Sequence, residues 1–430
     1  MKVLMFGWEF PPFISGGLGV ASHGIAKGLV NNGIEVTFVI PTKRKQELIP
    51  DINIRLLAAD EVALSSGFVR ATKEVESLSA EIEEKLLPLS PYYTSISSRE
   101  MIEHFFGRVE SVYPKRSTIL DFAGNYGSDL FLEVGKYSII GKYLGATDDF
   151  DIIHSHDWVT FPAGVEAKKV SGKPLVVHIH ATEFDRSGDN INQWVYDTER
   201  YGMENADRII TVSYYTRNII INRYGIHPDK VDVVHNAVDK EAHRKKLGIE
   251  KPLKEKIVLF LGRVTMQKGP DYFLEAANVV LEKLKNVRFV MAGSGDMLPR
   301  MINRAAELKI TDKFHFTGFL RGLEVERIYT MSDLYVMPSV SEPFGISAFE
   351  ALLYDVPIII SKRAGVAEVL KDAMMVDFWD VQRLADRIIA LLSDEKLALD
   401  MVARCKAEIQ NIGWNNAGDK IKAVYQSLLQ

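Results

Sequence analysis

The chain has 430 residues, enough for two or three domains at about 150 residues each, and its 47% apolar, 25% charged and 10% aromatic residues exclude a mostly disordered or collagen-like polypeptide. A net charge of −5 spread along the chain gives no electrostatic basis for sequence-independent binding to nucleic acid or to an anionic membrane. The lone Cys405 cannot close an internal disulfide, residues 2–8 lack the apolar length of a signal peptide, and no run of about 18 apolar residues offers a spanning helix, so cytoplasm is the expected address.

Residues 3–8 form a continuous apolar run that predicts a buried strand, Ser15-Gly16-Gly17-Leu18-Gly19 predicts a loop, and 18–31 has helical spacing before a second strand at 35–40. The stretch 43–147 is too long for one connection. It holds a charged helical segment (74–87) and an aromatic-rich one with Tyr92, Tyr93, Phe105, Phe106, Tyr113, Phe122, Tyr126 and Phe131, so it is expected to be an elaboration of the first domain. Strands follow at 152–153, 175–179, 208–212 and 231–234, separated by helix-length segments such as 214–223. Between 239 and 256 charge replaces apolar content, which places the domain linker there. A second series has strands at 257–261, 287–291, 314–316, 334–337 and 358–360, with helices near 272–284 and 346–353. Alternating strands and helices imply parallel sheets covered on both faces. The expected architecture is α/β, with two doubly wound domains at 1–240 and 257–410. Residues 411–430 form a helix whose Ala417, Ile421, Val424, Tyr425 and Leu428 share one face and need a docking surface on either domain.

Doubly wound sheets bind ligands beyond the carboxyl ends of their strands. Gly16-Gly17-Leu18-Gly19 follows the first strand and opens a helix, where amides and the positive helix end favour a phosphate; a plain helix-entry turn would also use glycine. A dinucleotide site fits poorly, because Ser22 takes the third glycine position and no acidic ribose ligand follows the second strand. In the second domain Gly262-Arg263 follows a strand end, and Lys268-Gly269 precedes a helix. Two cations there would neutralise a diphosphate. Glu342-Pro343-Phe344-Gly345-Ile346-Ser347-Ala348-Phe349-Glu350 sets two carboxylates eight residues apart, one on the loop after a strand and one expected a little over two turns into the helix. Glu342 is suited to accept sugar hydroxyls and Glu350 to reach a ribose.

These elements resemble those of the retaining nucleotide-sugar glycosyltransferases with the GT-B fold, specifically family 4 and its relatives among starch and glycogen synthases. The resemblance rests on Gly262-Arg263 with Lys268-Gly269, on the segment 341–350, on Trp8-Glu9-Phe10-Pro11-Pro12 with Gly16-Gly17-Leu18-Gly19, on His154-Ser155-His156-Asp157-Trp158, and on Val177-His178-Ile179-His180. It implies two Rossmann-like domains facing a central cleft, with a UDP- or ADP-sugar as donor, a glucan or other carbohydrate as acceptor, and neither metal nor cofactor. It implies catalytic roles for His180, Glu342, Arg263 and Lys268, and donor contacts from Gly16, Gly17, Arg263, Lys268, Glu342, Phe344, Gly345, Ile346 and Glu350. On the acceptor side it implies Glu9, His156, Asp157 and Trp158. The opening motif favours α-1,4-glucan elongation. Ile14 stands where starch synthases usually carry a lysine, which leaves the donor nucleotide open. A family 4 transferase with a lipid-linked, phosphorylated or small sugar acceptor is the alternative; a nucleotide-sugar epimerase, or a non-catalytic sugar-binding protein, is the alternative of another class.

The pairs His154/His156 and His178/His180 each share a strand face, so four imidazoles are expected to converge. A metal site is one reading of this cluster. A structural role suits His154 and His178, and a place in the cleft suits His156, Asp157 and His180.

Overall fold

The computed structural model describes residues 1–11, 16–43, 52–64, 119–127, 129–239 and 254–430. Seven strands form the first sheet: β1 (Lys2–Phe6), β2 (Glu35–Ile40), β3 (Arg55–Ala58), β4 (Ile152–His156), β5 (Leu175–Ile179), β6 (Arg208–Thr211) and β7 (Val231–Val233). Six form the second: β8 (Lys256–Leu261), β9 (Val287–Ala292), β10 (Phe314–Gly318), β11 (Leu334–Met337), β12 (Ile358–Ser361) and β13 (Met374–Val376). Their orders are β3-β2-β1-β4-β5-β6-β7 and β10-β9-β8-β11-β12-β13, parallel throughout. β1 reads as an apolar run, and β4 and β5 are buried along their whole length, because helices cover both faces of the sheet.

Strand order reverses between β1 and β4 in one sheet and between β8 and β11 in the other. A crevice opens at such a switch point, beyond the carboxyl ends of the strands. Beyond β1, β4, β8 and β11 come the glycine run, Asp157, Arg263 and Glu342 respectively. Topology therefore gathers motifs that lie up to hundreds of residues apart in sequence.

One face of the first sheet packs against helices Leu130–Thr147, Phe161–Ser171 and Gln193–Asn205, and the other against Gly17–Asn31 and the C-terminal helix Trp414–Leu428. The stretch 43–147 is thus not an elaboration throughout. β3 pairs with β2, and Leu130–Thr147 is a core helix of the domain. Segment 74–87 and Tyr92, Tyr93, Phe105, Phe106 and Tyr113 lie outside the described residues.

The C-terminal helix docks on the first domain, with Trp414, Ile421 and Tyr425 buried. Gly28 lets the two helices close on each other: a Cβ there would stand 2.0 Å from the backbone oxygen of Trp414. Among the described residues, no helix is long and apolar enough to cross a membrane.

Candidate active site

The second domain contributes the charged half of the site. After β8, a 3₁₀ turn at Met266–Lys268 places Lys268 Nζ 2.5 Å from Glu342 Oε2, and Ser339 Oγ donates to the same oxygen at 3.1 Å. Glu342 is only 5% exposed, so pairing with a cation and a hydroxyl offsets the desolvation of its carboxylate. The backbone oxygen of Gln267 accepts from Val340 N and Ser341 N, which knits the cationic turn to the carboxylate loop. Arg263 is exposed, and its guanidinium donates to Gln267 Oε1 at 3.2 Å.

Gly345 has φ +103°, and a Cβ there would lie 2.8 Å from Met337 Cε, so glycine is required where the loop enters helix Ile346–Leu353. That helix starts with neither a side-chain cap nor an acidic residue in its first turn, leaving its positive end suited to an anion. Phe344 is buried against Phe349 and His235, so it anchors the loop from beneath. Glu350 sits one turn into the helix rather than two, because the helix begins only at Ile346. Its Oε2 accepts from Tyr329 Oη at 3.1 Å.

The first domain contributes a largely uncharged half. Gly16 and Gly17 open helix Gly17–Asn31, again without a side-chain cap, and a Cβ on either would meet nothing within 4 Å. The protein itself does not demand glycine there, which fits close approach by a ligand. Glu9 is buried and accepts from the hydroxyl of half-exposed Tyr126. Asp157 adopts φ +58°, and its Oδ1 accepts from His180 N at 2.7 Å and Ala181 N at 3.3 Å, fastening the end of β5. Burial pushes this carboxyl up to about 6, against the pull of Arg186 and the two amides. Arg186 is itself engaged by Glu199 at 2.9 Å and by the Ala181 carbonyl at 3.0 Å. Trp158 is turned into the core against Phe131.

His154, His156, His178 and His180 stack as a buried ladder, with ring centroids 4.5 to 5.4 Å apart. His156 Nδ1 and His180 Nε2 share a hydrogen bond of 2.9 Å, His178 Nδ1 and His154 Nε2 one of 3.3 Å, and His154 Nδ1 meets Tyr425 Oη. Burial holds His154 and His180 down to about 3, and holds His156 and His178 well below the usual imidazole value. All four are neutral at pH 7. His156 is as enclosed as His154 and His178, so it lies beneath the cleft; only His180 keeps any exposure, at 9%.

Nitrogens of His154, His156 and His178 lie within 4.8 Å of one another, close enough to test for an ion. Their ring planes are tilted by only 7° to 19°. Both nitrogens of His154 already have partners. His156 Nε2 and His178 Nε2, by contrast, are buried without a hydrogen-bond partner among the described residues.

Contacts that the sequence reading missed join the two halves. Ser341 Oγ donates to Asp185 Oδ1 and meets Tyr215 Oη, while Ser213 Oγ donates to the Pro343 carbonyl at 2.6 Å. Glu368 accepts from Tyr214 N, Tyr215 N and His235 Nε2. Thr182-Glu183-Phe184-Asp185 forms a helix capping box, the one local signal in the sequence that points to Asp185.

Two parallel-sheet domains meeting at their switch points, one cationic and one glycine-lined, define a sugar-transferring enzyme of the two-domain GT-B type. Residues 128–242 match the family model described as Glycosyltransferase Family 4, and 239–408 match Glycosyl transferases group 1. An uncharacterized glycosyltransferase of Methanocaldococcus jannaschii is 27% identical over 100% of this chain and 99% of its own. The D-inositol 3-phosphate glycosyltransferase of Mycolicibacterium smegmatis is 29% identical over 64% of this chain and 67% of its own. Among solved structures, sucrose-phosphate synthase from Thermosynechococcus elongatus superposes with a TM-score of 0.71 at 16% identity, covering 99% of this chain and 98% of that one. Anabaena HepE in complex with UDP and glucose gives 0.66 at 16% identity, over 99% and 100%. These structural likenesses show the fold. The chain thus carries one region of the group 1 kind and one of the family 4 kind, and it is a glycosyltransferase.

Proposed function

We propose that the enzyme moves a glucosyl group from a UDP- or ADP-sugar to a carbohydrate hydroxyl with retention of anomeric configuration, elongating an α-1,4-glucan. The observation that carries this reading is exposed Arg263, held by Gln267, next to the half-buried Lys268 paired with buried Glu342 and an uncapped helix start. A nucleoside diphosphate leaving group gains negative charge as the anomeric carbon becomes cationic, and preorganised cations oppose that charge without rearranging. Arg263, Lys268 and the amides at Ile346 and Ser347 take the diphosphate, Glu342 accepts sugar hydroxyls, and Glu350 holds the ribose. The bond from the anomeric carbon to the phosphate oxygen breaks, the acceptor oxygen bonds on the same face, and the acceptor proton passes to the departing phosphate. Neither glutamate is a nucleophile. His180, neutral and at the edge of the cleft, lines the reacting centre.

HepE complexes with UDP and UDP-glucose favour uridine in the donor. A second reading has a small phosphorylated acceptor, favoured by the names of the relatives: D-inositol 3-phosphate glycosyltransferases and sucrose-phosphate synthase. The epimerase reading is not favoured by relatives of this kind.

The test is a screen of UDP-, ADP- and GDP-glucose against maltooligosaccharides, glycogen and inositol 3-phosphate, with product linkage and anomer read by NMR. An α-linked product from an α-linked donor is expected. Conversion of donor to an isomer without transfer would overturn the reading.

A further inference from the structure

We infer that Asp185 is a positioning residue that holds the two halves of the reacting centre in register across the cleft. The inference rests on the transferase reading above. It goes beyond that reading because Asp185 touches neither the cations nor the glutamates assigned there.

Asp185 lies in the short helix Glu183–Ser187, just past the His180 segment, and is 1% exposed. Its two carboxylate oxygens serve different domains. Oδ2 accepts from Thr182 N at 2.7 Å and Thr182 Oγ1 at 2.8 Å, fixing the chain two residues after His180. Oδ1 accepts from Ser341 Oγ at 2.5 Å, and Ser341 directly precedes Glu342. Ser341 N in turn donates to the backbone oxygen of Gln267, whose side chain holds Arg263 and whose neighbour is Lys268. A continuous series of bonds therefore runs from the His180 segment through one carboxylate to the Glu342 loop and the cationic turn.

Burying a carboxylate is costly unless it is fully bonded, and an apolar residue would fill the same space without that cost. Hydrogen bonds, unlike apolar contact, fix direction and distance. That property matters here because a displacement of about 1 Å at a reacting centre costs on the order of 100-fold in rate. Rotation of one domain against the other by even a small angle would shift the His180 segment against the Glu342 loop, and Asp185 is bonded to both.

The test compares Ser341→Ala, Asp185→Ala, the double variant and Asp185→Asn. The readouts are turnover of UDP-glucose, followed as UDP release, and UDP affinity by calorimetry, with folding checked by circular dichroism. Both alanine variants are expected to lose about 10- to 100-fold in kcat, with UDP affinity within about threefold of wild type, since Arg263 and Lys268 are untouched. The double variant is expected to be no slower than the worse single one, because both remove one link. Asp185→Asn is expected to restore most of the rate, its amide donating to Ser341 while its oxygen keeps Thr182. Glu368→Gln weakens a different contact between the domains and is expected to cost much less in kcat.

Near-wild-type kcat in folded Ser341→Ala would overturn the proposal, as would losses that multiply in the double variant or an equal loss in Glu368→Gln. Should Asp185→Ala fail to fold, Ser341→Ala and Asp185→Asn carry the test. A wild-type enzyme that turns over UDP-glucose while these variants do the same contradicts this proposal alone. A wild-type enzyme that turns over no sugar nucleotide contradicts the transferase reading, and this proposal with it.

Discussion

At the carboxyl end of the first sheet the stacked side chains are imidazoles held neutral by burial, and Arg186 is engaged by Glu199 and a carbonyl. At the corresponding end of the second sheet Arg263 stands exposed, and Lys268 is matched to one carboxylate beside an uncapped helix. Both ends occupy the same topological position in similar sheets. On the proposed reading the difference divides the labour: the second domain would meet charge that develops on a leaving group, and the first would supply shape and hydrogen bonds.

If that division holds, Arg263→Ala and Lys268→Ala should produce the largest losses, about 100- to 1,000-fold in kcat, the scale for removing one preorganised electrostatic contact. Steady-state kinetics with UDP-glucose checks this, and near-normal turnover in both variants would erase the contrast. Glu342→Gln sharpens the comparison. It should lower kcat by about 10- to 100-fold, the scale of a misplaced reacting group, while UDP binding measured by calorimetry holds or tightens, because Lys268 is released from its ion pair. A parallel loss of UDP affinity would mean that Glu342 builds the diphosphate site rather than the sugar site.

On the first-domain side the effects should fall on stability. Tyr425→Phe leaves the buried His154 Nδ1 without its partner, and should cost about 1–3 kcal/mol in denaturant unfolding with kcat little changed.

The smallest effect is one of pH. The depressed imidazoles contribute stability that is present above pH 6.5 and lost as pH falls toward about 3. Asp157 and Glu199, raised by burial to about 6 and about 7, act in the opposite sense: their contribution is present below the usual carboxylate range and lost as pH rises through those values. Buried Asp185 is raised in the same sense, so four imidazoles outweigh three fully buried carboxylates by about one proton. Stability should therefore fall on acidification from pH 6.5 to 4.5, by about 1 kcal/mol per pH unit. Thermal melts across that range check the sign, and rising stability would show that the imidazoles are charged in the folded chain.

Much of the fold was legible because strands buried on both faces read as apolar runs; β5, β11 and helix Ile346–Leu353 fall where periodicity put them. Helix Leu130–Thr147 escaped notice because it is buried around much of its circumference, so it lacks the polar face that marks a surface helix. The C-terminal helix announced a buried face but not its partner, which is set by Gly28 nearly 400 residues away. In the site, the Lys268–Glu342 and histidine motifs were visible as residue types at suggestive spacings. Their actual partners were not. No local rule links Asp185 to Ser341 or Tyr425 to His154, since those pairs exist only once two sheets and a returning helix are in place.

The central claim is tested most directly by a crystal structure with UDP-glucose bound. The account predicts the diphosphate within hydrogen-bond reach of Arg263 and Lys268, at the start of helix Ile346–Leu353, with the sugar against Glu342 and His180 facing it. A diphosphate seated away from both cations and from Glu342 would contradict it.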